Sequence, residues 1–159
     1  MNAVPFSCTW ASSGCRAARH PLLRWLAAAA LALAAGAAQA ECSVSASGLG
    51  FAEYDVFSAT PSDSSATITV SCSEATSYSL ALHSANGSPQ QPLLGSSSDT
   101  LAYRLHQDAA RTLVWGEGAF ALNGSTEGTQ EHTLYGRIPE GQNVRVDSYT
   151  DLLTVTLEF

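Results

Sequence analysis

Cysteine, histidine, carboxylate and tryptophan side chains could carry chemistry in this 159-residue chain, and their spacing decides whether they do. Cys42 and Cys72 have neither the C-x-x-C spacing of a thiol-exchange centre nor a histidine close in sequence to complete a metal pair. One disulfide is the economical reading, with thiol exchange and metal binding as its competitors. Closing a loop of about 30 residues would stabilise the fold by roughly 3 to 4 kcal/mol in the chain-entropy view. His83, His106 and His132 show no H-x-H or H-x-x-x-H spacing, and each reads as a surface or half-buried side chain. The pairs Glu53 with Asp55 and Asp147 with Asp151 could serve acid–base work, but Asp55 and Asp147 are more simply loop or turn residues. No serine stands in a G-x-S-x-G elbow. Trp115 could be a platform for a sugar or peptide, or an aromatic packed within a strand. These residue types point away from an enzyme, and they call for no metal and no cofactor.

The elements that would position them are short and alternating. In "YTDLLTVTLEF" (149 to 159), Leu153, Val155, Leu157 and Phe159 share one face, while Thr154, Thr156 and Glu158 share the other. This is the period of a strand with one buried side. "CSVSAS" (42 to 47) groups Cys42, Val44 and Ala46, and "ATITVSC" (66 to 72) groups Ile68, Val70 and Cys72, so each cysteine points with its strand's apolar side. "YSLAL" (78 to 82), "TLAYRL" (100 to 105) and "HTLYGRI" (132 to 138) repeat the pattern, and "TLVWGEGAFAL" (112 to 122) reads as a glycine-interrupted strand or hairpin arm. "SATPSDSS" (58 to 65) and "NGSTEGTQE" (123 to 131) read as polar connections. No helix of three turns is expected, because Ser, Thr and Gly are spread throughout and β-branched residues cluster in the runs. Seven or so short strands read as an all-β sandwich.

The first 40 residues differ from the rest. Arg16, Arg19 and Arg24 precede the apolar run "WLAAAALALAAGA" (25 to 37), and "AQA" (38 to 40) offers small residues for cleavage before Glu41. That is a signal peptide, too short and alanine-rich for a spanning helix. Cys8 and Cys15 leave with it, and residues 41 to 159 form one domain with four arginines against fourteen acids, a net charge of −10. Such a balance argues against nucleic acid or an anionic membrane as partner.

Three stretches, 42 to 72, 99 to 118 and 134 to 159, resemble the spore coat protein U family, secreted subunits of archaic chaperone–usher pili. Cys42 and Cys72 match the family's disulfide. Phe51 and Tyr54 match its F-G-x-Y element, with Ala52 in place of the usual glycine. Leu101, Tyr103 and Leu105 match L-x-Y-x-L, Trp115 and Gly116 match W-G, and Tyr135, Gly136, Gly141, Gln142, Tyr149 and Asp151 match the closing run.

The resemblance implies an immunoglobulin-like β-sandwich that is incomplete, lacking its final strand. It also implies partners: a periplasmic chaperone, an outer-membrane usher, and other pilus subunits that donate a strand to the open groove. Leu153, Val155, Leu157 and Phe159 are then expected to form that groove's wall or floor. Localisation follows as periplasmic in transit, then cell surface or pilus. Only Glu41 separates the expected cleavage from Cys42, so the mature chain would accept a strand with little to donate, which suits a fibre tip. A soluble carbohydrate-binding or enzymatic sandwich is the alternative, and would show convergent polar groups around Trp115 or Tyr103. An outer-membrane barrel also ends on an alternating strand with a terminal phenylalanine, but needs more strand residues than these runs supply.

Overall fold

The structure is a computed structural model that describes residues 40–159, so the leader, apart from Ala40, lies outside the described residues. Eight strands run in order: β1 (Cys42–Ala46), β2 (Ser62–Ser84), β3 (Gly87–Ser88), β4 (Gln91–Gly95), β5 (Thr100–Ala102), β6 (Arg104–His106), β7 (Leu122–Ile138) and β8 (Leu153–Glu158). The helical content among them is one 3-10 turn at Gly118–Phe120.

β2 is the spine of the larger sheet. β7 pairs with it antiparallel from Ser62↔Ile138 to Leu80↔Leu122, and β6 lies on β7's far side. Since β7 occupies one edge of β2, both β1 (Cys42↔Cys72 to Ala46↔Ile68) and β8 (Leu153↔Ser84 to Glu158↔Ser79) occupy the other, end to end. The smaller sheet is β3-β4-β5, to which the chain before β8 is tied by paired bonds between Gly95 and Thr150. Neither sheet closes into a barrel. The architecture is an incomplete immunoglobulin-like sandwich.

The even positions of β2 follow its alternation into the core: Ile68, Val70, Tyr78, Leu80 and Leu82 are buried, as are Leu134 and Ile138 of β7. The run "LAYRLH" crosses between sheets, with Leu101 paired in β5, Leu105 in β6, and Tyr103 buried at the crossing. The Cys42–Cys72 disulfide joins residues directly opposite in the β1–β2 ladder, with Cα atoms 4.1 Å apart.

Two strands are longer than the sequence pattern suggests. Ser62–Ser84 absorbs the end of the expected 58 to 65 connection and joins two expected strands, while Leu122–Ile138 absorbs the loop expected at 123 to 131. Residues 73 to 75 and 127 to 131 are exposed on both faces, so no apolar alternation marks them, although 128 to 131 are paired with 72 to 69 of β2. A bulge between Cys72 and Thr76 accommodates the bend, with Gly128 at φ 88° opposite it, a conformation that glycine adopts without a Cβ penalty.

At the other end of the same ladder Asp63 faces Arg137, whose Nε and Nη2 donate to its two oxygens at 2.7 and 2.8 Å. That hydrogen-bonded pair, opposed by burial and aided by the charge of Arg111, holds the Asp63 carboxyl below its usual range. A carboxyl depressed in the folded state stabilises it fully above the unfolded value near ~3.9, and that contribution fades as pH falls through the folded value. Because the pair is partly solvated, Asp63→Asn should lower stability near neutrality by no more than about 1 kcal/mol. Urea midpoints should converge with the parent's once the pH is below the folded value; a difference that persists there would show the loss is not electrostatic.

Candidate functional site

The chain after β1 joins neither sheet and packs on the core through Leu49 and Phe51. Phe51 stands edge-on to Tyr103, with ring centroids 6.1 Å apart. Gly136 makes the fit possible: a Cβ there would lie 2.7 Å from Phe51 Cζ and 2.9 Å from Leu49 Cδ2. Its neighbour Tyr135 carries the Arg111 guanidinium 5.8 Å from its ring centroid. Tyr54 locks the far end of the segment, donating its hydroxyl to the Pro139 carbonyl at 3.0 Å and accepting the Gln142 N–H at 2.9 Å. The Gln142 side chain in turn accepts from Ala102 N at 2.8 Å and donates to Ala102 O at 2.9 Å. An amide side chain thus takes a neighbouring strand's place beside β5.

Asp151, just before β8, is a second joint. Its carboxylate accepts the Tyr103 hydroxyl at 2.7 Å, the Ser84 hydroxyl at 2.5 Å, the Asn86 side-chain amide at 3.2 Å and the Leu152 N–H at 2.8 Å. Burial, together with this carboxylate, pushes the Tyr103 phenol well above its ordinary range, so it stays a donor. Tyr149 donates to the Arg145 carbonyl at 2.8 Å.

Trp115 is fully buried and donates Nε1–H to the Leu80 carbonyl at 3.0 Å. Gly116 beside it receives the Leu82 N–H at 3.1 Å, and a Cβ on it would meet the Pro89 carbonyl oxygen at 2.7 Å. Neither Trp115 nor Tyr103, itself 2% exposed, presents a ring to solvent as a stacking platform. His83 pairs with Glu117 at 2.9 Å, and His132 Nε2 meets the Tyr78 hydroxyl at 2.7 Å. Among the described residues no three potential metal ligands converge.

What these joints leave uncovered is a groove. Two cavities of about 520 and 320 Å³ share Leu49, Phe51, Leu94 and Asp151. Ile68, Tyr103 and Leu134 lie behind the smaller one, with Leu49 and Phe51 lining it from the segment after β1, and Leu153 and Val155 from β8. Along β8 the residues alternate, Leu153, Val155 and Leu157 half-buried towards the core and Thr154, Thr156 and Glu158 exposed. Of the four apolar residues read from the sequence, the structure brings Leu153 and Val155 to the cavity. Leu157 packs on the core outside it, and Phe159, just past the strand's end, is 61% exposed. Leu49 and Leu94 are lining residues that lie outside the expected strands, while Leu134 is on the apolar face of the expected strand 132 to 138. Among the described residues β8 pairs with β2 alone, so its other edge carries no strand.

The Spore Coat Protein U domain family model matches residues 28–156 of this chain. No curated protein matches it. Among solved structures it is similar to one described as the CsuC–CsuE chaperone–tip adhesion subunit pre-assembly complex from archaic chaperone–usher Csu pili of Acinetobacter baumannii. The TM-score is 0.56 at 22% identity, covering 76% of this chain and 40% of that one. At that identity the likeness shows the fold, and this chain spans about two fifths of the matched chain's length.

Proposed function

The chain belongs to the Spore Coat Protein U domain family, and from that premise we propose that it is a non-enzymatic structural subunit of a chaperone–usher-assembled pilus or surface coat. Its groove accepts a donor β-strand, first from a periplasmic chaperone and then from a neighbouring subunit. Residues 1 to 40 direct export, residues 41 to 159 are the assembling domain, an outer-membrane usher secretes the fibre, and the tip is the position that suits a short segment before Cys42.

The observation that carries this reading is the unpaired edge of β8 beside an apolar groove. An open edge over apolar side chains invites aggregation, and an added strand removes the hazard by supplying ladder hydrogen bonds and side chains for the pockets. Three donor side chains of valine or leucine size would contribute on the order of 5 to 9 kcal/mol from burial alone, before the cost of association.

The test is periplasmic production with and without the cognate chaperone, reading soluble yield, oligomeric mass and hydrogen exchange of the β8 amides. The expected result is aggregation alone and a one-to-one soluble complex with the chaperone, in which 153 to 158 become protected. Val155→Asp should lose that complex, because a carboxylate would face the groove. A chain that is monomeric and fully protected at β8 by itself would show that the sandwich needs no donor.

A further inference from the structure

Asparagine is followed by glycine twice in this chain, at Asn86–Gly87 and at Asn123–Gly124. Asparagine is a thermolabile residue, and a following glycine has no Cβ to obstruct attack of its backbone nitrogen on the asparagine Cγ. The fold treats the two pairs differently. Asn123 and Gly124 are held in the long β2–β7 ladder opposite Ser79 and Tyr78, and a Cβ on Gly124 would lie 2.7 Å from the Tyr78 hydroxyl. Ring closure there would have to pull an extended strand out of register. Asn86, by contrast, is exposed in the bend between β2 and β3. The Leu93 N–H donates to the Asn86 carbonyl at 3.0 Å, so Gly87, opposite Pro92, belongs to a non-hydrogen-bonded pair of the β3–β4 ladder and its own N–H lies outside it. The Asn86 amide also has a structural task. Its Nδ2 donates to Asp151 Oδ1 at 3.2 Å, and the same carboxylate holds the Ser84 and Tyr103 hydroxyls just before β8, where Asp151 borders both cavities of the groove.

We propose that Asn86 is a self-modifying site, converting to aspartate or isoaspartate and thereby loosening the Asp151 joint. The Gly87 nitrogen bonds to Asn86 Cγ, the Cγ–Nδ2 bond breaks, and Nδ2 leaves as ammonia with the Gly87 proton. Water then opens the succinimide, at Cγ to give aspartate or at the backbone carbonyl to give isoaspartate. The net change is one water taken up and one ammonia released. Where an amide donated to Asp151, a second carboxylate then faces it, and two acceptors of like charge repel at that distance. Isoaspartate also lengthens the main chain by one carbon beside the bond from Leu93 N–H. The next tie in line is the Ala85 N–H to the Leu152 carbonyl, 3.0 Å, and its weakening frees the start of β8. The modification stands apart from the strand-accepting reading; only its effect on donor binding rests on that reading.

The test is storage of the exported full chain at mildly alkaline pH, read by peptide mass spectrometry and isoaspartyl methyltransferase labelling, with the same chain unfolded in guanidinium chloride as the clock. In the folded chain Asn86 should convert about tenfold faster than Asn123 or more, and unfolding should bring the two rates together. No conversion at Asn86 over the time in which the unfolded chain converts, or equal rates at the two sites in the folded chain, would overturn the proposal. Two variants read the consequence. Asn86→Asp should quicken hydrogen exchange of the 151 to 155 amides, and Asn86→Ala, which removes the amide without adding a charge, should do so less. Equal effects would overturn the loosening by repulsion at Asp151. Donor-strand affinity should fall with the faster exchange; conversion and faster exchange with unchanged affinity would count against the groove reading and leave the modification standing.

Discussion

Trp115→Ala is expected to destabilise the domain by about 3 to 5 kcal/mol, the usual cost of emptying a fully buried aromatic site. The indole is enclosed, its Nε1–H is bonded to the Leu80 carbonyl, and it lies edge-on to His132 at 6.4 Å between centroids. Its own backbone N–H donates to Leu105, and the Gly116 carbonyl beside it receives the Leu82 N–H. The side chain therefore fills the space where β2, β6 and the loop before β7 meet. With a urea slope of roughly 2 kcal/mol/M, the midpoint should fall by roughly 2 M. Trp115→Phe keeps most of the buried area and loses the one donor, so it should cost less, about 1 to 3 kcal/mol. The order of the two variants is the diagnostic. If alanine and phenylalanine were equally mild, Trp115 would not be the packed element that its burial indicates.

Replacing both Cys42 and Cys72 by serine should cost about 3 to 4 kcal/mol, as expected for a bridge closing a loop of about 30 residues. The effect should also be local. β1 is a five-residue strand held on one side only, by its ladder to β2. The segment that follows it carries Leu49 and Phe51 into the groove. Without the covalent tie, exchange of the amides from 43 to 51 should quicken by more than the global loss predicts, and the proposed acceptance of a donor strand should weaken because one wall of the groove is less well ordered. A double variant whose loss of stability was uniform across the domain would separate the bond's stabilising role from any part in shaping the groove.

The sandwich was legible wherever one face of a strand is dry. β1, β8 and the two halves of β2 show their period in the sequence because Val44, Val155, Ile68 and Leu80 must leave water while their neighbours need not. Both cysteines lie on the apolar sides of such strands, which is why a bond between two strands could be read before any coordinates. The lengths of β2 and β7 were not legible, since the arm joining their halves has no buried face and its Ser, Thr and Gly residues read equally as loop. Trp115 was ambiguous for a different reason. An aromatic residue looks the same in one dimension whether it faces solvent or core.

Residue order alone determined the strand class, the acidic balance and the resemblance to a family, because each rests on local periodicity, composition or motif spacing; it made a Cys42–Cys72 bond the economical reading, and the structure joins the two. The tertiary structure decided what those motifs are for. Gln142 stands in for a strand beside Ala102, Asp151 gathers Tyr103, Ser84 and Asn86, and Gly136 leaves room for Phe51, contacts between residues that are far apart in the chain or separated by a turn. It also decided which apolar residues reach the groove. A strand's period says only that Leu153, Val155 and Leu157 share a face; whether a face meets a neighbour or an opening depends on what the rest of the chain packs against it.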